Sequence, residues 1–199
     1  NPISFVTAPL LSSDPTVPDA AGNYAYAPFG ALLERASGAP GFRLFSVAPS
    51  GSLTLRGMTI RGLSAAEQGG AILSRGTLAL DGVTLAGNRA RFGGAIHNRA
   101  RMNVSSTTFS DNRAVEQGGA VYHQNGNNGN GIAGSCFTGN TARFGGAVFS
   151  QTGNFNARDS WWGVASGPTA AMVNDRVVFT PFVTTGCGGK CPGLSHPMR

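Results

Sequence analysis

The sequence predicts an all-β fold, a parallel β-helix (solenoid) of about five short coils with a non-repeat N-terminal arm or cap and a C-terminal tail. Three observations predict it. A Gly-Gly-Ala-(Ile/Val) block occurs four times, in Glu67-Gln-Gly-Gly-Ala-Ile72, Arg91-Phe-Gly-Gly-Ala-Ile96, Glu116-Gln-Gly-Gly-Ala-Val121 and Arg143-Phe-Gly-Gly-Ala-Val148, with the first glycines 24, 25 and 27 residues apart. An apolar residue three positions before an asparagine precedes the last three blocks, in Leu85-Ala-Gly-Asn88, Phe109-Ser-Asp-Asn112 and Phe137-Thr-Gly-Asn140. Short alternating stretches such as Leu53-Thr-Leu55, Leu78-Ala-Leu80 and Met102-Asn-Val104 lie between the motifs. A unit of about 24 residues with two or three such strands cannot form a sheet alone. It must stack, one coil per unit, so that equivalent strands of successive coils run parallel and bury a continuous core.

Composition excludes the main competitors. Charged residues make up 12% of the 199, about half the usual share, and the 30 glycines are about twice the usual number. A single lysine, Lys190, stands beside 14 arginines, which is not the composition of a helical bundle. No apolar run is long enough to cross a bilayer. The net charge of +6 raises a nucleic-acid partner, but the arginines are scattered and no RNA-binding or helix-turn-helix signature occurs, which argues against one.

In chain order, residues 1–40 hold six of the eleven prolines and none of the repeat, and read as an arm or cap. Within it, Ile3, Phe5 and Val6 form a short strand that covers the end of its own solenoid or adds to another subunit. Residues 41–165 are the β-helix. The paired glycines Gly69 and Gly70, Gly93 and Gly94, Gly118 and Gly119, and Gly145 and Gly146 suit corners that need positive φ or a backbone without Cβ. Asn88, Asn112 and Asn140 are expected to form an amide ladder at another corner. The Asn125-Gly-Asn-Asn-Gly-Asn-Gly131 stretch, where the repeat lengthens, is expected to bulge as a loop. Glu67, Arg91, Glu116 and Arg143 occupy one repeat position with alternating sign, a charge ladder that specifies register more than it stabilises.

Residues 166–199 read as a C-terminal cap and cysteine-containing tail. Cys187 and Cys191 enclose Gly-Gly-Lys and suit a small disulfide, while Cys136 sits in the column of Thr84 and Thr108 as a stacked side chain. With His196 the two tail cysteines make three zinc ligands, one short of a structural site, so no metal or cofactor is expected. His97 shares a column with Leu73, Tyr122 and Phe149, with His123 one position on, and this reads as side-chain stacking. Phe92, Phe144, Trp161 and Trp162 are sugar platforms or core closures.

The repeat, as in Phe109-Ser-Asp-Asn112 with Gly118-Gly-Ala-Val121, resembles that of chlamydial polymorphic outer-membrane proteins and of secreted bacterial right-handed β-helix proteins. Ser160-Trp161-Trp162-Gly163, Ser166-Gly-Pro168 and Val177-Val-Phe-Thr-Pro181-Phe182 are similar to the closing coil of the second group. The resemblance spans residues 42–182 and implies a right-handed helix. It fits a non-catalytic structural or adhesive protein, extracellular or at the cell surface, whose partner is a surface glycan, a surface protein or further copies of itself in a head-to-tail filament. A polysaccharide lyase or hydrolase, or a carbohydrate-binding module, is the alternative. Glycosidases use two carboxylates at controlled separation, and none of the nine acids lies near another in sequence.

Overall fold

The computed structural model describes residues 30–125 and 131–187, together with the backbone of residues 3–6. Among the described residues none is helical, and the chain winds as a parallel β-solenoid with three sheets. Sheet I holds Ile3–Val6 (β1), Leu32–Arg35 (β2), Thr59–Arg61 (β5), Thr84–Ala86 (β8), Thr108–Ser110 (β12) and Cys136–Thr138 (β16). Sheet II holds Phe45–Val47 (β3), Ile72–Ser74 (β6), Ile96–Asn98 (β10), Val121–His123 (β14) and Val148–Ser150 (β17). Sheet III holds Ser52–Arg56 (β4), Thr77–Asp81 (β7), Met102–Ser105 (β11), Gly131–Ala133 (β15), Phe155–Asn156 (β18) and Val177–Val178 (β19). Each turn runs from sheet II to sheet III to sheet I, and a two-stranded ribbon of Arg89–Phe92 (β9) and Arg113–Gln117 (β13) leads back to sheet II.

The six strands of sheet III mark six turns, one more than the repeats suggest. The additional strands lie beyond the expected solenoid limits. β2, inside the expected arm, pairs parallel with β5, and β19, inside the expected tail, pairs parallel with β18. The terminal turns lack the Gly-Gly block, whose second glycine serves contact between coils. A Cβ on Gly94 would run into the carbonyl oxygen of Gly119 in the next coil, and at the last turn no such coil follows. The first glycine of each block has φ between 57° and 66°, in the left-handed region. β1 runs antiparallel on the outer edge of β2, with Ile3 opposite Arg35 and Val6 opposite Leu32. The backbone of Ile3, Phe5 and Val6 is therefore paired within its own chain.

Strand alternation fills the interior. Ile60, Leu85, Phe109 and Phe137 stack inward on sheet I, and Trp162 continues the column, its ring centroid 4.5 Å from Phe137. Sheet II contributes Ile72, Ile96, Val121 and Val148, and sheet III contributes Leu80, Val104 and Ile132. Two polar ladders bind the coils at corners. The Asn112 amide nitrogen donates to Asn140 Oδ1 at 3.0 Å and to the Leu85 carbonyl at 2.8 Å, and Asn112 Oδ1 accepts from both nitrogens of Asn88 at 3.0 Å. A second ladder was not legible as a motif: Ser135 Oγ accepts from Thr107 N at 3.1 Å, and Ser160 Oγ accepts from Ser135 N at 3.3 Å. In the earlier coils this column holds Met58 and Val83, so its polar character begins only at the third coil.

Candidate functional site

The Gly-Gly corner folds each returning segment against the strand that follows it, and this sets three columns side by side on the outer face of sheet II. The first is Gln68, Phe92, Gln117 and Phe144, joined from coil to coil by parallel bridges. The second is Leu73, His97, Tyr122 and Phe149, in direct register on β6, β10, β14 and β17. Arg75, Arg99, Gln124 and Gln151 form the third, one residue past each strand end, each nitrogen donating to the strand of the coil before it.

The middle of this face is aromatic. Tyr122 lies 4.7 Å from His97, 5.6 Å from Phe92 and 5.8 Å from Phe149, the last pair stacked at 3°. Tyr122 is covered, and burial pushes its phenol pKa up while its hydroxyl donates to Gln151 Oε1 at 2.7 Å. Phe144 remains half exposed at 50%, with the Arg143 guanidinium 5.2 Å from its ring. Arg91 and Phe92 repeat that pairing two coils earlier, also at 5.2 Å.

Toward the N-terminal end the face is basic. His97 Nε2 lies 3.0 Å from Gln124 Oε1, and Arg99 approaches the same nitrogen at 3.4 Å while donating to Gln68 Oε1 at 3.1 Å. Arg43 donates to the carbonyls of Gln68 and Gly69 at 2.9 and 3.0 Å. Gln68 thereby ties Arg43 and Arg99 together. Burial, followed by Arg99, Arg43 and Arg75, lowers the His97 pKa to about 4, against the hydrogen bond to Gln124. Burial first, and then Arg75, also lowers the pKa of Arg43. Among the described residues the ion pairs are Arg61 with Glu34, Arg91 with Glu67 and Arg143 with Glu116, so none of Arg43, Arg75 and Arg99 has a carboxylate partner.

The charge ladder residues sit at the edge of this face. Arg91 lies 3.5 Å from Glu67 and Arg143 lies 3.9 Å from Glu116, so the alternation resolves into two exposed pairs. Such pairs are worth little individually. His123 turns into the corner between sheets II and III, where its Nδ1 lies 3.0 Å from Asn98 Nδ2 and its ring 4.8 Å from Phe155. Its pKa is lowered to about 4, chiefly by burial.

One expectation needs correction. Cys187 is bonded to Cys136, with Cα atoms 5.9 Å apart and a sequence separation of 51, and not to Cys191. The reason lies in strand alternation: Phe137 takes the inward position on β16, Cys136 faces outward, and the tail crosses that face with Val183 N donating to Ser160 O at 3.0 Å. Cys191 and His196 lie outside the described residues, as does the centre of the expected loop at 126–130. Of the two readings of Trp162, core closure holds, because it is 1% exposed within the core stack. The arginine cluster was missed by sequence reading, since Arg43 lies outside the repeat and the three residues converge only when coils stack.

A groove of about 600 Å³ lies over sheet III. Its floor is the small and polar outward column Thr54, Ala79, Asn103, Gly131 and Asn156, and its charged residues are Arg56 and Asp81, the latter accepting from Ser105 Oγ at 2.9 Å. It offers neither an aromatic ring nor a cluster of like charge.

Two segments, residues 106–124 and 134–151, match the family description of the Chlamydia polymorphic membrane protein repeat. Each runs from the start of a sheet I strand through the Gly-Gly corner to the outer face of sheet II, ending at or beside Gln124 and Gln151. No curated protein and no solved structure matches the chain at a significant level.

Proposed function

We propose that this chain is a non-catalytic β-solenoid displayed at the cell surface, and that it works as an adhesive module through the outer face of sheet II. The observation that carries the reading is the position of the polymorphic-membrane-protein repeats. Both matched segments end on the same face, where Phe144 and Phe149 stand beside amide and guanidinium side chains. Half-exposed aromatics beside fixed hydrogen-bonding groups are the usual makings of a recognition surface. A disulfide between Cys136 and Cys187 suits an oxidising location outside the cytosol. The acids support a binding reading over a catalytic one: Glu34, Glu67 and Glu116 engage arginines, and Asp81 accepts from Ser105.

The test is attachment. Beads coated with the chain are expected to bind a subset of a cell panel, and the Phe144→Ser, Phe149→Ser double variant is expected to lose most of that attachment while its unfolding midpoint stays near that of the parent. Attachment that survives in the double variant overturns the reading. A filament built by exchange of residues 3–6 would require β1 to leave β2. The same preparations therefore report on assembly: a mass of one chain at every concentration is expected.

A further inference from the structure

We infer that the guanidinium groups of Arg43, Arg75 and Arg99, gathered around His97 at the N-terminal end of sheet II, form a binding site for the anionic group of an acidic saccharide, a carboxylate or a sulfate. The inference rests on the adhesive reading for its setting and names the ligand class of that same face.

Three observations on the structure converge here. Arg75 and Arg99 occupy adjacent coils of one column, about 4.8 Å apart along the stack, and Arg43 is tied to Arg99 through Gln68. Like charges on neighbouring coils repel one another and, among the described residues, no carboxylate neutralises them. Surface acids are close in sequence, yet Glu67 turns to Arg91 instead. The third observation is the buried Nδ1 of His97, which has no hydrogen-bond partner among the described residues. The imidazole supplies a fixed, neutral wall at the base of the cluster, its protonation opposed first by burial and then by the arginines. An anion that accepts from two or three guanidinium groups would relieve the mutual repulsion and gain charge-assisted hydrogen bonds.

The neighbours of the cluster favour a saccharide as the carrier of that anion. Going down the same column, the arginines give way to Gln124 and Gln151, with the Tyr122 hydroxyl held by Gln151. Phe149 and the half-exposed Phe144 lie alongside. Amides suited to hydroxyl groups and rings suited to the apolar face of a sugar thus continue the site beyond its charged end.

The experiment is isothermal calorimetry on the full chain with a heparin-derived hexasaccharide as the sulfate probe and an oligogalacturonate as the carboxylate probe, with a neutral dextran fragment and a single-stranded oligonucleotide as references. Arg75 is exposed and makes no side-chain hydrogen bond among the described residues, so Arg75→Gln should leave the fold intact. It and Arg99→Gln are each expected to weaken binding of one or both acidic saccharides by about tenfold or more, the loss expected for a charge-assisted hydrogen bond. Arg56→Gln, over sheet III, removes the same charge elsewhere and is expected to change binding less than twofold. An equal loss in Arg56→Gln, equal affinity for the oligonucleotide, or no binding of either acidic probe overturns the inference. Bead attachment that persists but is not competed by either saccharide overturns the ligand class alone and leaves the adhesive reading standing. Binding of the probes without any cell attachment does the reverse.

Discussion

Asn112 makes the case that a single side chain can hold three coils. Its amide donates down to Asn140 and up to the Leu85 carbonyl while its oxygen accepts from Asn88, and only the bond to Asn140 reaches the partly exposed end. Asn112→Ala strands several buried polar groups at once, and unfolding in urea should show a loss of about 3 kcal/mol or more. Asn140→Ala, at the partly exposed end of the ladder, should cost less. The histidines give a pH signature. His97 and His123 titrate at about 4 in the folded chain but near the ordinary 6.5 when unfolded, so between those values the unfolded chain binds more protons. Their contribution is complete above about pH 6.5 and is lost as the pH falls toward 4. Around His97 the charged groups are Arg99, Arg43 and Arg75, all of one sign, whereas His123 faces Asn98 and Phe155. The urea midpoint should therefore fall from pH 7.5 to pH 5, and His123→Gln should flatten that fall if it folds; an equal slope in the variant would assign the effect to other groups.

At the scale of the element, the Gly-Gly corner is the decisive unit. Gly94→Ala forces a Cβ against the backbone of Gly119 and Arg113, where no flexible side chain can yield, and should cost more than about 3 kcal/mol or abolish folding. Gly87→Ala, at a positive φ but with nothing within 4 Å, should cost about 1 kcal/mol, the conformational penalty alone. The tail behaves differently, because a covalent bond does the holding. Closing a loop of 51 residues restricts the unfolded chain by about 4 kcal/mol on the chain-entropy view. Cys187→Ser should lower the melting temperature and expose residues 183–187 to protease, and Cys191→Ser should do neither. A Cys191→Ser variant as unstable as Cys187→Ser would contradict the Cys136 pairing.

Over the whole molecule, legibility followed periodicity. The Gly-Gly blocks and the Phe-x-x-Asn motif announce their own period, and that period is the coil, so the stacking, the parallel strands and the asparagine ladder could be read directly. The terminal turns carry neither motif: β2 is recognised as a strand only once a neighbouring coil offers its edge, and β19 was legible only through the similarity of residues 177–182 to a closing coil. The Cys136 partner and the arginine cluster escaped for a related reason. Both join a repeat position to a residue outside the repeat, Cys187 in one case and Arg43 in the other, and self-comparison is blind to such pairs. The extra residue of β13, where the register shifts between Ala114 and Gln117, explains the 25-residue spacing and the exposure of Val115. The columns that the stack creates are the product of the fold that matters most for function, since they place residues of four coils on one face.

Whether the outer face of sheet II is the surface that meets the cell can be read by hydroxyl-radical footprinting of the chain free and bound to cells. Phe144, 50% exposed on the face, should oxidise readily in the free chain, and Val164, 44% exposed at the C-terminal end, more slowly because its aliphatic side chain reacts less readily than a ring. On binding, oxidation of Phe144 and Phe149 is predicted to fall several-fold while Val164 and the sheet III residues Leu53 and Asn103 stay unchanged. Protection of Asn103 or Val164 with Phe144 left fully reactive would contradict it.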